Sequence, residues 1–293
     1  MKAFTLVGLL AAGALGLSAC GAQATVDQAV TSLGASPYLQ LHVTGSLSST
    51  NAALDKIAYQ VKNLSLTLDF ASTNGANLSA AGSSVDGEAL LAVSGTTVLD
   101  VRAIGANLYV ELNLAPLNSL PGANVPPSAL AAAGQMLDGR WFEIPQSLIA
   151  QFAAAHQPSA AQVARAQALV RATITALSTL VENAPSPSST GTLTETGTLQ
   201  SIADALAPVL GPASGATPTV SGTYAISLTT SGTTATGGSV TITSAGTSTH
   251  PAPEPVTLAL QATASHDTTP VATPVGAIVV TPSMLGQLSS IGG

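Results

Sequence analysis

Cysteine is nearly missing from this chain of 293 residues: Cys20 is the only one, so no disulfide forms within it and no cysteine pair can clasp a metal. Charge is scarce as well. Lys and Arg number 7 and Asp and Glu 14, giving a net charge of −7 and charged residues at only 7%. So few cations leave no basic stripe to displace counterions from phosphates, which excludes nucleic acid as a partner, and no patch to hold anionic lipid electrostatically. Aromatic residues are few too, with 4 Phe, 4 Tyr and 1 Trp against 46% hydrophobic residues overall, so the interior must be built from aliphatic and small side chains. The four histidines, His42, His156, His250 and His266, are scattered, and none stands at metal-ligand spacing from another His, Cys or carboxylate. "GPASG" at 211–215 sets its serine in the wrong register for a nucleophile elbow. The residues therefore point away from catalysis, from a metal and from any cofactor.

What is present begins with "MKAFTLVGLLAAGALGLSAC". One cation, Lys2, precedes an apolar run of about 14 residues, shorter than the roughly 20 a spanning helix needs. That is the build of a secretory signal, predicted over residues 1–19. Leu17, Ser18, Ala19 and Cys20 resemble the lipobox of bacterial lipoproteins, in which the small residues enter a peptidase in extended form and the cysteine sulfur takes a diacylglycerol. Lipidation is therefore expected at Cys20, placing the protein on the extracytoplasmic side of the cell membrane by an acyl anchor. Loss of residues 1–19 removes Lys2 and no acid, moving the formal charge to about −8. Residues 20–36 then read as a flexible tether, able to reach roughly 60 Å when extended.

From residue 37 to 293 one domain is expected. "YLQLHVTGSL" alternates Leu39, Leu41 and Val43 with Gln40, His42 and Thr44, the period of a half-buried strand. "IAYQV" and "LSLTLDF" alternate likewise, and "EALLAVSG", "TVLDVRAIG" and "NLYVELNL" follow, parted by turn-like Gly95-Thr96 and Gly105-Ala106-Asn107. These runs predict an antiparallel meander with one apolar face, continued by the short "RWFEIP", in which Trp141 and Glu143 oppose Phe142 and Ile144. The period then changes. "QSLIAQFAAAH" sets Leu148, Ile149 and Phe152 at helical spacing. "SAAQVARAQALVRATITALSTLVEN" carries a stripe of Val163, Val170, Ile174, Leu177 and Val181 behind a capping box of Ser159 and Gln162. Residues 184–198, rich in Pro, Ser, Thr and Gly, predict a mobile loop, and a second amphipathic segment spans "LQSIADALAPVLG". Four more strand patterns come after it, and Thr281 with Pro282 suggests a last short helix. Strands on either side of a helical block make an α+β fold.

The order of lipobox, meander, "DVRAIGANLYVELN", "DGRWFEIP", helical block and final strands resembles the actinobacterial, mycobacterial-type lipid-carrier lipoproteins with a LolA-like half-barrel. The specific part is short, Asn107 to Asn113 with Gly139 to Pro145. The resemblance implies a strongly curved antiparallel sheet with helices packed on its concave face, enclosing an apolar core or cavity. It implies binding of a lipid or acylated glycolipid for carriage or presentation. The cavity-lining candidates are Leu108, Val110, Leu112, Phe142, Ile144, Leu148, Phe152, Val163, Val170, Ile174, Leu177 and Val181. The same side chains equally suit an ordinary filled core. In that case the chain is a structural or interaction lipoprotein docking an envelope protein. A hydrolase is the third class, and it requires a polar cleft with a clustered acid and base.

Overall fold

In a computed structural model, residues 31–51, 54–116, 137–155, 191–201, 219–232, 234–247, 251–266 and 270–284 are described, with 28, 134 and 204 singly. The expected signal segment, Cys20 and the long helix stripe lie outside these residues. The described elements are β1 (Tyr38–Ser48), α1 (Asp55–Asn63), β2 (Leu64–Ser72), β3 (Val85–Val93), β4 (Thr96–Ile104), β5 (Asn107–Leu112), β6 (Trp141–Ile144) and α2 (Gln146–Ala155). They continue with β7 (Thr192–Thr198), β8 (Val220–Ser231), β9 (Thr234–Thr247), β10 (Pro251–Ser265) and β11 (Ile278–Val279).

The strands form one sheet in the order β11-β6-β5-β4-β3-β2-β1-β10-β9-β8-β7, which has two ends and is not closed. The pairings from β2 through β6 and from β7 through β10 are antiparallel, whereas β11 lies parallel to β6. Contacts divide the chain into two units. One holds Pro37–His42, Asn63–Gln157 and His266–Gly293, here the meander unit; the other holds Met1–Ser36, Val43–Lys62 and Pro158–Ser265, here the threonine unit.

The meander forms because the turn chemistry matches the strand alternation. Val93 and Thr96 are joined by Ser94 (φ 50°) and Gly95 (φ 79°), two left-handed residues in a row, the turn whose twist suits paired strands. Ile104 and Asn107 are joined through Gly105 (φ 58°), whose N–H donates to Asp86 Oδ1 at 2.9 Å. A bulge between Leu91 and Ala92 admits Val98, which is buried at 3% exposure.

Three expectations are corrected. "IAYQV" is not a strand but the centre of α1: Ile57 and Val61 are four residues apart, so the same spacing suits a helix, and Asp55 in the first turn and Lys62 in the last complement its dipole. Residues 192–198, a loop by composition, are β7, because seven ladder positions against β8 pair one edge of their backbone. The tether is engaged before residue 37: residues 31–33 are helical and Ser32 Oγ accepts the Ala235 N–H at 2.9 Å. Two helices are described in full, α1 and α2; helices laid on a concave face around an apolar core are not among the described features. The described helices include none long and apolar enough to cross a membrane.

Candidate functional site

In the meander unit the strand registers sort the side chains into two contrasting faces. Phe70, Gly87, Ala103, Leu108 and Ile144 are successive partners across β2 to β6, as are Leu68, Ala89, Val101, Val110 and Phe142. Leu66, Leu91, Leu99 and Leu112 make a third row. Directly opposed residues point to the same side, so this face is apolar across five strands without a charge. Its large side chains are half-buried rather than buried. Leu108, Val110, Leu112, Phe142 and Ile144 all stand on it. Leu148 is buried on α2 at 5% exposure, beside the turn where its N–H bonds Pro145 O. The side chain of Phe152, and Val163, Val170, Ile174, Leu177 and Val181, lie outside the described residues.

The opposite face is polar. Asp69, Glu88, Arg102, Tyr109 and Glu143 are partners in one row, and Asp100, Glu111 and Trp141 in the next. Arg102 organises it. Its Nη2 meets Glu88 Oε1 and Asp100 Oδ2, each at 2.9 Å, its guanidinium lies 4.6 Å from the centre of the Trp141 ring, and its Nη1 donates to Ala272 O at 2.9 Å. Gln40 Nε2 donates to Asp69 Oδ1 at 2.8 Å, and Asn107 Nδ2 to Glu143 Oε1 at 2.8 Å. His42 Nδ1 meets Thr67 Oγ1 at 2.9 Å.

Burial, and then the neighbouring Asp100 charge, push the Glu88 carboxyl up to about 6; Arg102 opposes this without cancelling it. Burial works against the Arg102 cation, but the bonds and charges of Asp100 and Glu88 together outweigh that and raise its pKa. This cluster escaped the sequence reading. Its signal was available in "TVLDVRAIG", where Asp100 and Arg102 take alternate positions in a chain that has few charges to place.

In the threonine unit the same sorting gives a hydroxyl face. Thr198, Thr223, Thr243 and Thr257 form one row and Thr196, Ala225, Thr241 and Ala259 the next. Thr243 and Thr257 hydroxyls meet at 3.0 Å, and Ser227 and Ser239 at 2.7 Å. An open concavity of about 400 Å³ lies there, lined by Thr196, Thr198, Thr223, Ala225, Thr241 and Thr243 with Gly197 and Tyr224. It stands open to solvent, and its threonine hydroxyls alternate with Gly197, Ala225 and Tyr224. On the other side, Gly197, Tyr224, Ile242 and Leu258 form an apolar row. Burial, and next Glu195, raise the pKa of the Tyr224 hydroxyl, while a bond to Ser201 acts against both.

Among the described residues no group of three or more His, Cys, Asp or Glu is placed to hold a metal. The arrangement defines a large, mostly antiparallel sheet with one apolar face and one charge-clustered face in its meander unit. Among solved structures, the Mycobacterium tuberculosis lipoprotein LppX is similar to the chain at 11% identity and a TM-score of 0.33, over 86% of this chain and 97% of that one. No protein-family profile matches the chain. No curated protein matches it.

Proposed function

We propose that the protein is a cell-envelope lipoprotein, anchored through an acylated Cys20, that holds a lipid or other hydrophobic ligand against the apolar face of its meander unit. The observation that carries this reading is the set of in-register apolar rows, two running over β2 to β6 and one over β2 to β5, without a charge in any row and with their large side chains only half-buried. A sheet face of this kind needs a cover, since each exposed methylene forgoes about 0.8 kcal/mol of burial. In the proposed half-barrel, the ligand is that cover. Gly87, Ala89 and Ala103, small residues between Leu68 and Phe70 on one side and Leu108 and Val110 on the other, favour room for an acyl chain. The role is binding and not catalysis: it rests on burial, and the strongest ionic cluster, around Arg102, is on the opposite face.

Native mass spectrometry of the full chain isolated from its own host membranes tests this. One lipid per protein is expected in the wild type and its loss in Val110→Glu, which places a charge in the middle row. Lipid-free wild-type protein would overturn the reading.

Docking of an envelope protein is the competing function, and the exposure of Ile57 and Tyr59 on α1, 47% and 48%, favours it. Crosslinking from α1 that recovers one stoichiometric protein, with no bound lipid, would select it.

A further inference from the structure

We propose that residues 270–280 form a strap along the β6 edge that detaches as a unit while the meander stays folded, with Arg102 as its clasp. The strap is held at few points. Ile278 and Val279 pair with Phe142 and Glu143 in a parallel ladder of two residues, and the Val280 N–H donates to Glu143 O at 2.8 Å. Val271 and Val280 are its buried side chains, at 9% and 8% exposure, whereas Val275 at the turn is 97% exposed and Val279 51%. Pro270 and Pro274 offer no N–H at all, and Gly276 (φ 75°) closes the turn. By comparison β2 and β3 share nine ladder positions. Few buried contacts and few backbone bonds mark a segment that opens well below the free energy of global unfolding.

Among the described residues, the side-chain tie to the strap is the Arg102 Nη1 bond to Ala272 O, made across 170 residues of chain. Arg102 is itself immobilised by Glu88, Asp100 and the Trp141 ring, so the donor is aimed before the strap arrives. That is a positioning role: the guanidinium fixes where the strap starts, and the short ladder completes its seat. Opening bares the backbone of β6 and the Phe142 end of the middle apolar row, to which Ile278 adds one more apolar partner. The detachment stands whether or not the apolar face carries a ligand.

Native-state hydrogen exchange on the full chain, resolved by residue and repeated at low denaturant, tests it. In the wild type the Val280 amide is expected to exchange about tenfold or more faster than the slow amides of the β2–β3 ladder, and with little denaturant dependence. Arg102→Met should speed Val280 by about tenfold again through the local opening, whereas the ladder should shift only by the variant's loss of global stability, read from its urea midpoint, and Arg102→Lys should fall between the two. Because Arg102→Met strands two carboxylates, the triple variant Glu88→Gln, Asp100→Asn, Arg102→Met removes the charges together and should give the same local acceleration. Equal rates and equal denaturant dependence for Val280 and the β2–β3 ladder in the wild type would overturn the proposal. So would Arg102 variants that accelerate every amide alike.

Discussion

Glu88 sits between two acids and a base, and its titration is therefore a stability statement. Its folded pKa of about 6 lies above the ordinary value of 4.5, so the folded state binds this proton more tightly than the unfolded chain does. The stabilisation is full below about pH 4.5 and is lost as pH rises through about 6. Glu88→Gln, which resembles the protonated carboxyl, should flatten this part of the pH dependence; urea midpoints at pH 5 and pH 7 check it, and an unchanged slope would refute the assignment. Arg102→Met leaves Glu88 and Asp100 facing each other without a cation, in sites only partly open to water, and should cost about 2 kcal/mol. Gly197 shows the opposite constraint, one of space. A Cβ there would stand 2.5 Å from the Tyr224 hydroxyl oxygen and 2.6 Å from its ring carbons, and the tyrosine is buried, so it cannot swing aside. Gly197→Ala is expected to destabilise by about 1–3 kcal/mol, as overpacking does, read from thermal or urea unfolding.

At the scale of elements, the β3–β4 hairpin carries a removable strain. Ser94 holds φ 50° with a Cβ, at a position where glycine or asparagine is at ease, while its N–H bond to Asn63 O at 2.7 Å belongs to the backbone and survives substitution. Ser94→Gly should raise stability by roughly 0.5–1 kcal/mol, visible as a higher urea midpoint with the same slope. The neighbouring strands were legible because alternation with two-residue turns is a local signal: Leu64 to Phe70, Leu108 to Leu112, and the opposition of Phe142 and Ile144 to Trp141 and Glu143 all follow from a period of two. Residues 57–61 were not legible, since five residues with Ile57, Tyr59 and Val61 fit either period, and the charges that mark the ends of α1, Asp55 and Lys62, lie outside those five. β7 was hidden for another reason. "TLTETGT" has loop composition, and only the ladder with β8 makes it a strand.

For the whole molecule the testable consequence of the proposed anchor is location: Cys20→Ser should move the protein from the membrane fraction to the soluble one, since an acyl chain and not charge is to hold it there. Retention of the variant on membranes would point to another attachment. The sequence by itself determined the scarcity of charge and cysteine, the strand alternation of the meander and which side chains share a side within each strand, because all of these depend on residues a few positions apart. The meander order it predicted is the order of β2 to β6 in the sheet, but it did not determine the register between those strands. The pairing of Val110 with both Val101 and Phe142, which turns separate apolar stripes into one face, is a tertiary fact. So is the gathering of Asp69, Glu88, Asp100, Arg102 and Ala272 on the other side. Only tertiary structure decided these, because the alternation of each strand is satisfied by many partners, and the choice among them rests on contacts between residues far apart in the chain, 170 positions for Arg102 and Ala272.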